Sequence, residues 1–434
     1  MAGVAGAPKF SFGQSNESGR QKTFIKVFMR GGADGLHLFP AVGDDWYYTH
    51  RPNINIPRPD SGTEHSAYNL GMLAGDNGYR GMNPNLIGLQ RIWEDGRLMV
   101  APATAMDDGG RSHFDNQRWI GTGARNNIID GYLNRYLQNT ANPMHPLRGA
   151  VLGKNGLSTE ARGTLTIPVV QAASSFDLRN DNFCTTGGCE DNQLTELMHL
   201  IASHEVDEAG MSAEVRENQV IMLESIAEVQ NSSMFDVPAG EAGMLGLNYS
   251  NSDLGRGLRL AAQLIKAGVP LEVAALDWNV GWDTHANQVP DNISGVGDRS
   301  FGFNQRLFQG ANDFLTFYLD MSGSGNLIDD VVVLVGTEFG RTVIENGSRG
   351  TDHGKGSTWF AFGGPTVGGL APDITTLDPA ALFQNRFVPT ATEYRDLVAE
   401  IMVRHMEMPV GLVQTVLPGH QFFDHRLFTR TATA

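Results

Sequence analysis

Thr351-Asp352-His353-Gly354 sets a carboxylate beside an imidazole, and Trp282-Asp283-Thr284-His285-Ala286 repeats the pairing with one residue between. Arg111-Ser112-His113 adds a hydroxyl and a third imidazole, while Asp34 and Glu338 each stand just after an apolar run. Carboxylate oxygens and imidazole nitrogens together suit divalent cations: Zn, Mg, Mn or Ca, as one ion or two. The candidate ligands are Asp34, Asp283, His285, Glu338, Asp352 and His353. Two such ions close together would clamp the attacking and leaving oxygens during hydrolysis of a phosphate-type ester. Ser112 is the candidate nucleophile, activated by metal coordination, and His113 is its rival, as nucleophile or as ligand. Arg111 or Arg341 would grip the anionic group. A plainer role competes for Ser112, because Ser112 and Asp115 have the spacing of a helix capping box. The two roles share one geometry, since a helix N-terminus also favours anions.

These residues fall where strands should end. Val331 to Val335 is a β-branched run that breaks into Gly336-Thr337-Glu338, and Thr23 to Met29 runs into Arg30-Gly31-Gly32-Ala33-Asp34. Leu98 to Ala103 leads to Ser112 and His113, and Leu271 to Asp277 leads to Asp283 and His285. Trp359 to Phe362 and Leu165 to Val170 read as further strands. Between them, Asn85 to Glu94, Leu254 to Ala267 and Phe303 to Tyr318 carry helical periodicity. A capping box at Thr390 and Glu393 predicts a final helix, on whose core face His405 is a packed histidine. The alternation predicts an α/β fold, a mainly parallel sheet flanked by helices, with chemistry at the carboxyl ends of its strands. Residues 190–230 are charged, Met-rich and helical in pattern, and read as an insertion with Met198, Met211 and Met222 as core filler. The expected organisation is a flexible leader, 1–22, followed by one domain, 23–434.

Composition excludes several classes. A formal charge of −16 argues against a nucleic-acid surface, and no apolar run is long enough to span a bilayer. Gly350 to Ser357 imitates a phosphate loop, but only three residues separate Gly350 from Gly354, too few for that motif. The N-terminus shows no basic-then-apolar export signal, so such a signal is absent or trimmed. The two cysteines, Cys184 and Cys189, suit a disulfide closing a short polar loop better than a zinc or redox site. An oxidising compartment, periplasmic or extracellular, follows.

In this order, the motifs RGGADGL, GRSHFDNQ, GWDTHANQ, TEFGRT and TDHGKG resemble the bacterial family catalogued as domain of unknown function 1501. That family is grouped with the alkaline phosphatase and sulfatase superfamily and is usually exported. The resemblance implies an alkaline-phosphatase-like three-layer sandwich with a helical insertion. It also implies a secreted metal-dependent hydrolase acting on a phosphate or sulfate ester, on a polysaccharide or another extracellular substrate. It places Asp34 at the first-strand metal aspartate and Glu338 where a strand-end Asp-His pair usually stands, with Phe339 in place of the imidazole. Ser112 lies in Arg-Ser-His-Phe, without the sulfatase nucleophile motif. The alternative is a non-catalytic surface or matrix-associated protein that keeps the fold and a structural ion.

Overall fold

β1, Thr23–Met29, is apolar at nearly every position and buried on both faces, as a central strand of a parallel sheet must be. The exceptions are Thr23 at its start and Lys26, whose ammonium donates to the Val27 carbonyl at 2.7 Å and lies 4.5 Å from the Trp359 ring. Burial lowers its pKa to about 7. The computed structural model describes residues 20–63, 65–71, 79–125, 127–140, 147–171, 246–289, 295–323 and 325–429. The expected disulfide, the 190–230 insertion and residues 1–19 of the leader lie outside them.

Around β1 the chain builds one large sheet. Its other strands are β4 (Leu98–Ala105), β5 (Gly149–Leu152), β6 (Val169–Val170), β7 (Val273–Asp277), β8 (Val331–Thr337), β9 (Ser357–Gly363), β10 (Gly369–Leu370) and β11 (Thr392–Glu393). β2 (Tyr68–Asn69) and β3 (Gly81–Met82) form a separate antiparallel pair. The order is β10-β4-β9-β8-β1-β7-β5-β6, with β11 also beside β4. All pairings in the large sheet are parallel except those of β9, which runs antiparallel to β8 and to β4. No helix lies between β8 and β9, so the chain returns without the crossover that a parallel partner needs.

Alternate residues of each strand feed two cores. Ile25, Val27, Val333 and Phe360 face the helices Ile87–Glu94, Asp253–Lys266 and Gly302–Gly323, whereas Phe24, Phe28, Val332 and Trp359 face Tyr132–Asn139 and Tyr394–Glu400. The result is helices on both sides of a mostly parallel sheet, as the alternation predicted. Details differ. The strand expected over Leu165 to Val170 is only Val169–Val170. Gly149–Leu152, too short to read from pattern, takes the place beside β7. The final helix starts at Tyr394, capped by Glu393 rather than Thr390, because the Glu393 carboxylate accepts from the Arg395 N–H. His405 is packed as expected, its Nε2 3.0 Å from the Thr23 carbonyl. No helix among the described residues is long and apolar enough to cross a membrane.

Candidate metal centre

β1, β7 and β8 end side by side, and β4 ends two strands beyond β8, so their exit loops open on the same edge of the sheet. The β1 exit depends on Gly31 and Gly32, at φ +126° and +69°. A Cβ on Gly32 would lie 2.4 Å from the Phe339 ring, so only glycine lets this turn pass under the β8 exit. Phe339 is buried, with its ring centroid 4.8 Å from those of both His113 and His353, and forms an apolar floor.

Above that floor three imidazoles and a carboxylate converge. His113 Nε2 lies 3.0 Å from His353 Nε2, which lies 3.1 Å from His285 Nε2. Asp283 Oδ1 is 3.0 Å from His285 Nε2, 3.2 Å from His353 Nε2 and 3.5 Å from His113 Nε2. The His113, Asp283 and His353 atoms all lie within 4.8 Å of one another, and His285 joins them through His353 and Asp283. Ligands about 2.0–2.1 Å from a tetrahedral ion stand about 3.3–3.4 Å apart, close to these separations.

The outer nitrogens decide the protonation of the inner ones. His113 Nδ1 faces Glu338 Oε1 at 2.7 Å, His353 Nδ1 faces the Arg111 carbonyl at 2.9 Å and His285 Nδ1 faces Asp352 Oδ1 at 3.3 Å. Each partner is an acceptor, so each Nδ1 can donate to it, the tautomer in which a neutral ring turns its Nε2 lone pair inward. In that tautomer the facing Nε2 atoms, 3.0 Å apart, would repel without a cation among them. A carboxylate or carbonyl that fixes a histidine through its far nitrogen is the usual support of a metal-ligating ring.

Electrostatics follow. Burial alone would raise the Glu338 carboxyl, but hydrogen bonds from His113, Gln117 and the Gly31 N–H outweigh it and hold it below its ordinary value. The same bond to Glu338, working against burial, raises His113. Burial likewise opposes the lowering of Asp283, which the Arg341 guanidinium wins. Asp283 and His285 are exposed, so the cluster opens to solvent on that side.

The sequence-derived candidates thus divide. Asp283, His285 and His353 meet, and His113 meets them as a potential ligand. Glu338 and Asp352 do not join the inner set. They hold His113 and His285 from behind, with Gln117 Nε2 also on Glu338 Oε1 at 2.9 Å. Asp34 is engaged elsewhere: Arg51 binds its two oxygens at 2.7 and 3.0 Å, and Gln288 donates at 2.7 Å. It is a buried ion pair that ties the β1 exit to the chain after β8, where Arg51 also holds the Thr342 and Val343 carbonyls. Arg341 is turned into the protein. It is buried, and its guanidinium binds the carbonyls of Gly31, Gly32, Trp282 and Thr351 together with Asp283, which locks three loops in register. Ser112 caps the helix His113–Thr122 and is exposed; its Oγ accepts from the Asp115 N–H at 3.5 Å. Arg111 reaches outward over the Phe387 ring. Gln117, Arg51, Gln288 and Arg386 were not foreseen. Gln117 alone had a readable signal, lying four residues after His113, one helical turn away.

Residues 101–408 match the family described as protein of unknown function (DUF1501), more than half of the chain. The chain belongs to this family. The matched span contains His113, Asp283, His285, Glu338, Asp352 and His353, and leaves out β1 and Asp34. No curated protein matches the sequence.

Proposed function

We propose that this DUF1501 member is a metal-dependent hydrolase of phosphate or sulfate esters, with one ion held by His113, His353, Asp283 and His285. The observation that carries this reading is the inward convergence of three imidazole Nε2 atoms and the Asp283 carboxylate, each imidazole backed by an acceptor on its Nδ1. Three nitrogens and one oxygen favour zinc or a similar transition ion over magnesium or calcium, which prefer oxygen-rich shells. The grouping of this family with the alkaline phosphatase and sulfatase superfamily, which the motif resemblance implies, supports the ester chemistry.

Held by His113, His353, Asp283 and His285, a divalent ion would supply Lewis-acid polarisation of the ester and activation of a hydroxyl or water. The chain's own residues position the rest. Glu338 fixes the tautomer and ring angle of His113, while Phe339 and the buried Trp282 keep water from the floor. Ser112, one residue from His113 at a helix N-terminus, accepts a hydrogen bond and so keeps its own proton free to give up. It is the candidate attacking group.

Metal analysis of the purified protein, followed by assay on aryl phosphate and sulfate esters, tests the proposal. The expected result is close to one transition ion per chain and turnover that a chelator abolishes. Ser112→Ala should stop turnover and keep the ion, and cost at most about 1 kcal/mol of stability. Turnover that survives Ser112→Ala removes the serine from the reaction and leaves it as a cap. A metal-loaded protein inactive on every such ester refutes the hydrolase reading in favour of a binding protein with a structural ion.

A further inference from the structure

In a chain of formal charge −16, two arginines gather beside the imidazole cluster. The Arg111 guanidinium lies 4.6 Å from the centre of the Phe387 ring, and that of Arg386 lies 5.4 Å from the same ring. Phe387 is buried and pinned by paired backbone hydrogen bonds with Phe383 at 2.9 and 3.0 Å, so the ring is a fixed platform. Planar guanidiniums stack on such a face and keep their N–H edges free for bidentate contact with an anion.

Both arginines are coupled to the cluster through its outer supports. The Arg111 carbonyl takes the His353 Nδ1–H, and Arg386 donates to Asp352 Oδ2 at 3.1 Å, while the other oxygen of Asp352 takes the His285 Nδ1–H. Among the described residues the Arg111 guanidinium has no hydrogen-bond or ion-pair partner, and Arg386 has Asp352 alone. Asp352 offsets Arg386 while, among the described residues, no carboxylate offsets Arg111, so the pair keeps a positive charge for an anion to meet. The distance from the cluster matters equally. Nδ1 is the edge of an imidazole turned away from Nε2, and the Arg111 backbone and the Asp352 carboxylate that Arg386 holds both lie at such edges, so the two residues flank the cluster from outside. An anion bound by them would flank the imidazole cluster.

We infer that Arg111 and Arg386 form an anion subsite, and that the substrate carries a second phosphate, sulfate or carboxylate group beside the ester that is cleaved. The substrate half of this inference rests on the hydrolase reading; the subsite is tested without turnover. Calorimetric titration of the metal-loaded full chain compares two inert probes, benzenesulfonate and benzene-1,3-disulfonate. The dianion should bind about tenfold more tightly, the gain of one charge-assisted contact. Arg111→Ala and Arg386→Ala should each remove most of that difference, with unchanged metal content and little change for the monoanion. Equal affinity of the two probes for the wild-type protein, or a difference that survives both substitutions, overturns the subsite. A preference that Arg111 and Arg386 control, in a protein that cleaves no ester, keeps the subsite and removes the hydrolase reading. Turnover of simple esters with no such preference does the reverse.

Discussion

Glu338→Gln separates a residue that orients a ligand from one that is a ligand. Glu338 Oε1 accepts from His113 Nδ1 at 2.7 Å, Gly31 N at 2.8 Å and Gln117 Nε2 at 2.9 Å. An amide of the same shape keeps an oxygen in that place, and its NH2 meets Thr337 Oγ1, now 3.0 Å from Oε2. The hydrogen bonds survive and the negative charge is lost. His113 becomes a weaker donor, and loss of such outer-shell support lowers metal affinity about 10–100-fold, about 1.4–2.7 kcal/mol. With metal in excess this difference appears in full as lost stability of the loaded protein. An unfolding entropy of about 2.1 cal/mol/K per residue over 434 residues amounts to about 0.9 kcal/mol/K, so the loaded Tm should fall by about 2–3 °C. At a pH above the raised His113 value, where that ring is neutral, the chelator-treated Tm should hardly move. Calorimetric metal titration and thermal unfolding with and without chelator read both numbers. Unchanged affinity in Glu338→Gln, alongside loss of metal in His113→Ala, refutes the orienting role. Complete loss of the ion in Glu338→Gln makes Glu338 a direct ligand.

Arg51→Ala strands the buried Asp34 carboxylate, which Arg51, working against burial, holds below its ordinary pKa. It should cost about 3–5 kcal/mol yet leave metal content intact, measured by denaturant unfolding and metal analysis; loss of the ion would return Asp34 to the ligand set. The second expectation concerns pH. The Glu338 hydrogen bond raises His113 above 6.5, so in metal-free protein the stabilisation from that pair is complete below the ordinary value and fades as pH climbs through the raised one. Ion binding needs the neutral ring and strengthens over the same interval. The Tm difference between metal-loaded and chelator-treated protein should therefore widen as pH rises above 6.5, and a constant difference would count against His113 as a ligand.

The sheet was legible in the sequence because its strands are written locally. Val331 to Val335 and Thr23 to Met29 have no other way to hide β-branched and aromatic side chains, and the glycines after them mark where each strand releases the chain. From those exits alone, His113, Asp283, His285, Glu338, Asp352 and His353 could be assigned to one edge of the sheet. What the sequence could not assign is which of them face inward. A carboxylate becomes a ligand or a support according to which donors reach it first, and those donors come from far along the chain. Glu338 is claimed by His113, 225 positions away, and Asp283 by Arg341, 58 positions away. Asp34 stands as well placed in sequence as Glu338, but Arg51 folds back onto it and takes both oxygens. The antiparallel return of β9 and the seat of Phe387 beneath two arginines are decisions of the same kind. Local residue chemistry determined the elements and the candidate donors; packing between distant segments decided the partners, because hydrogen bonds and charges are satisfied by whatever the fold brings within about 3 Å.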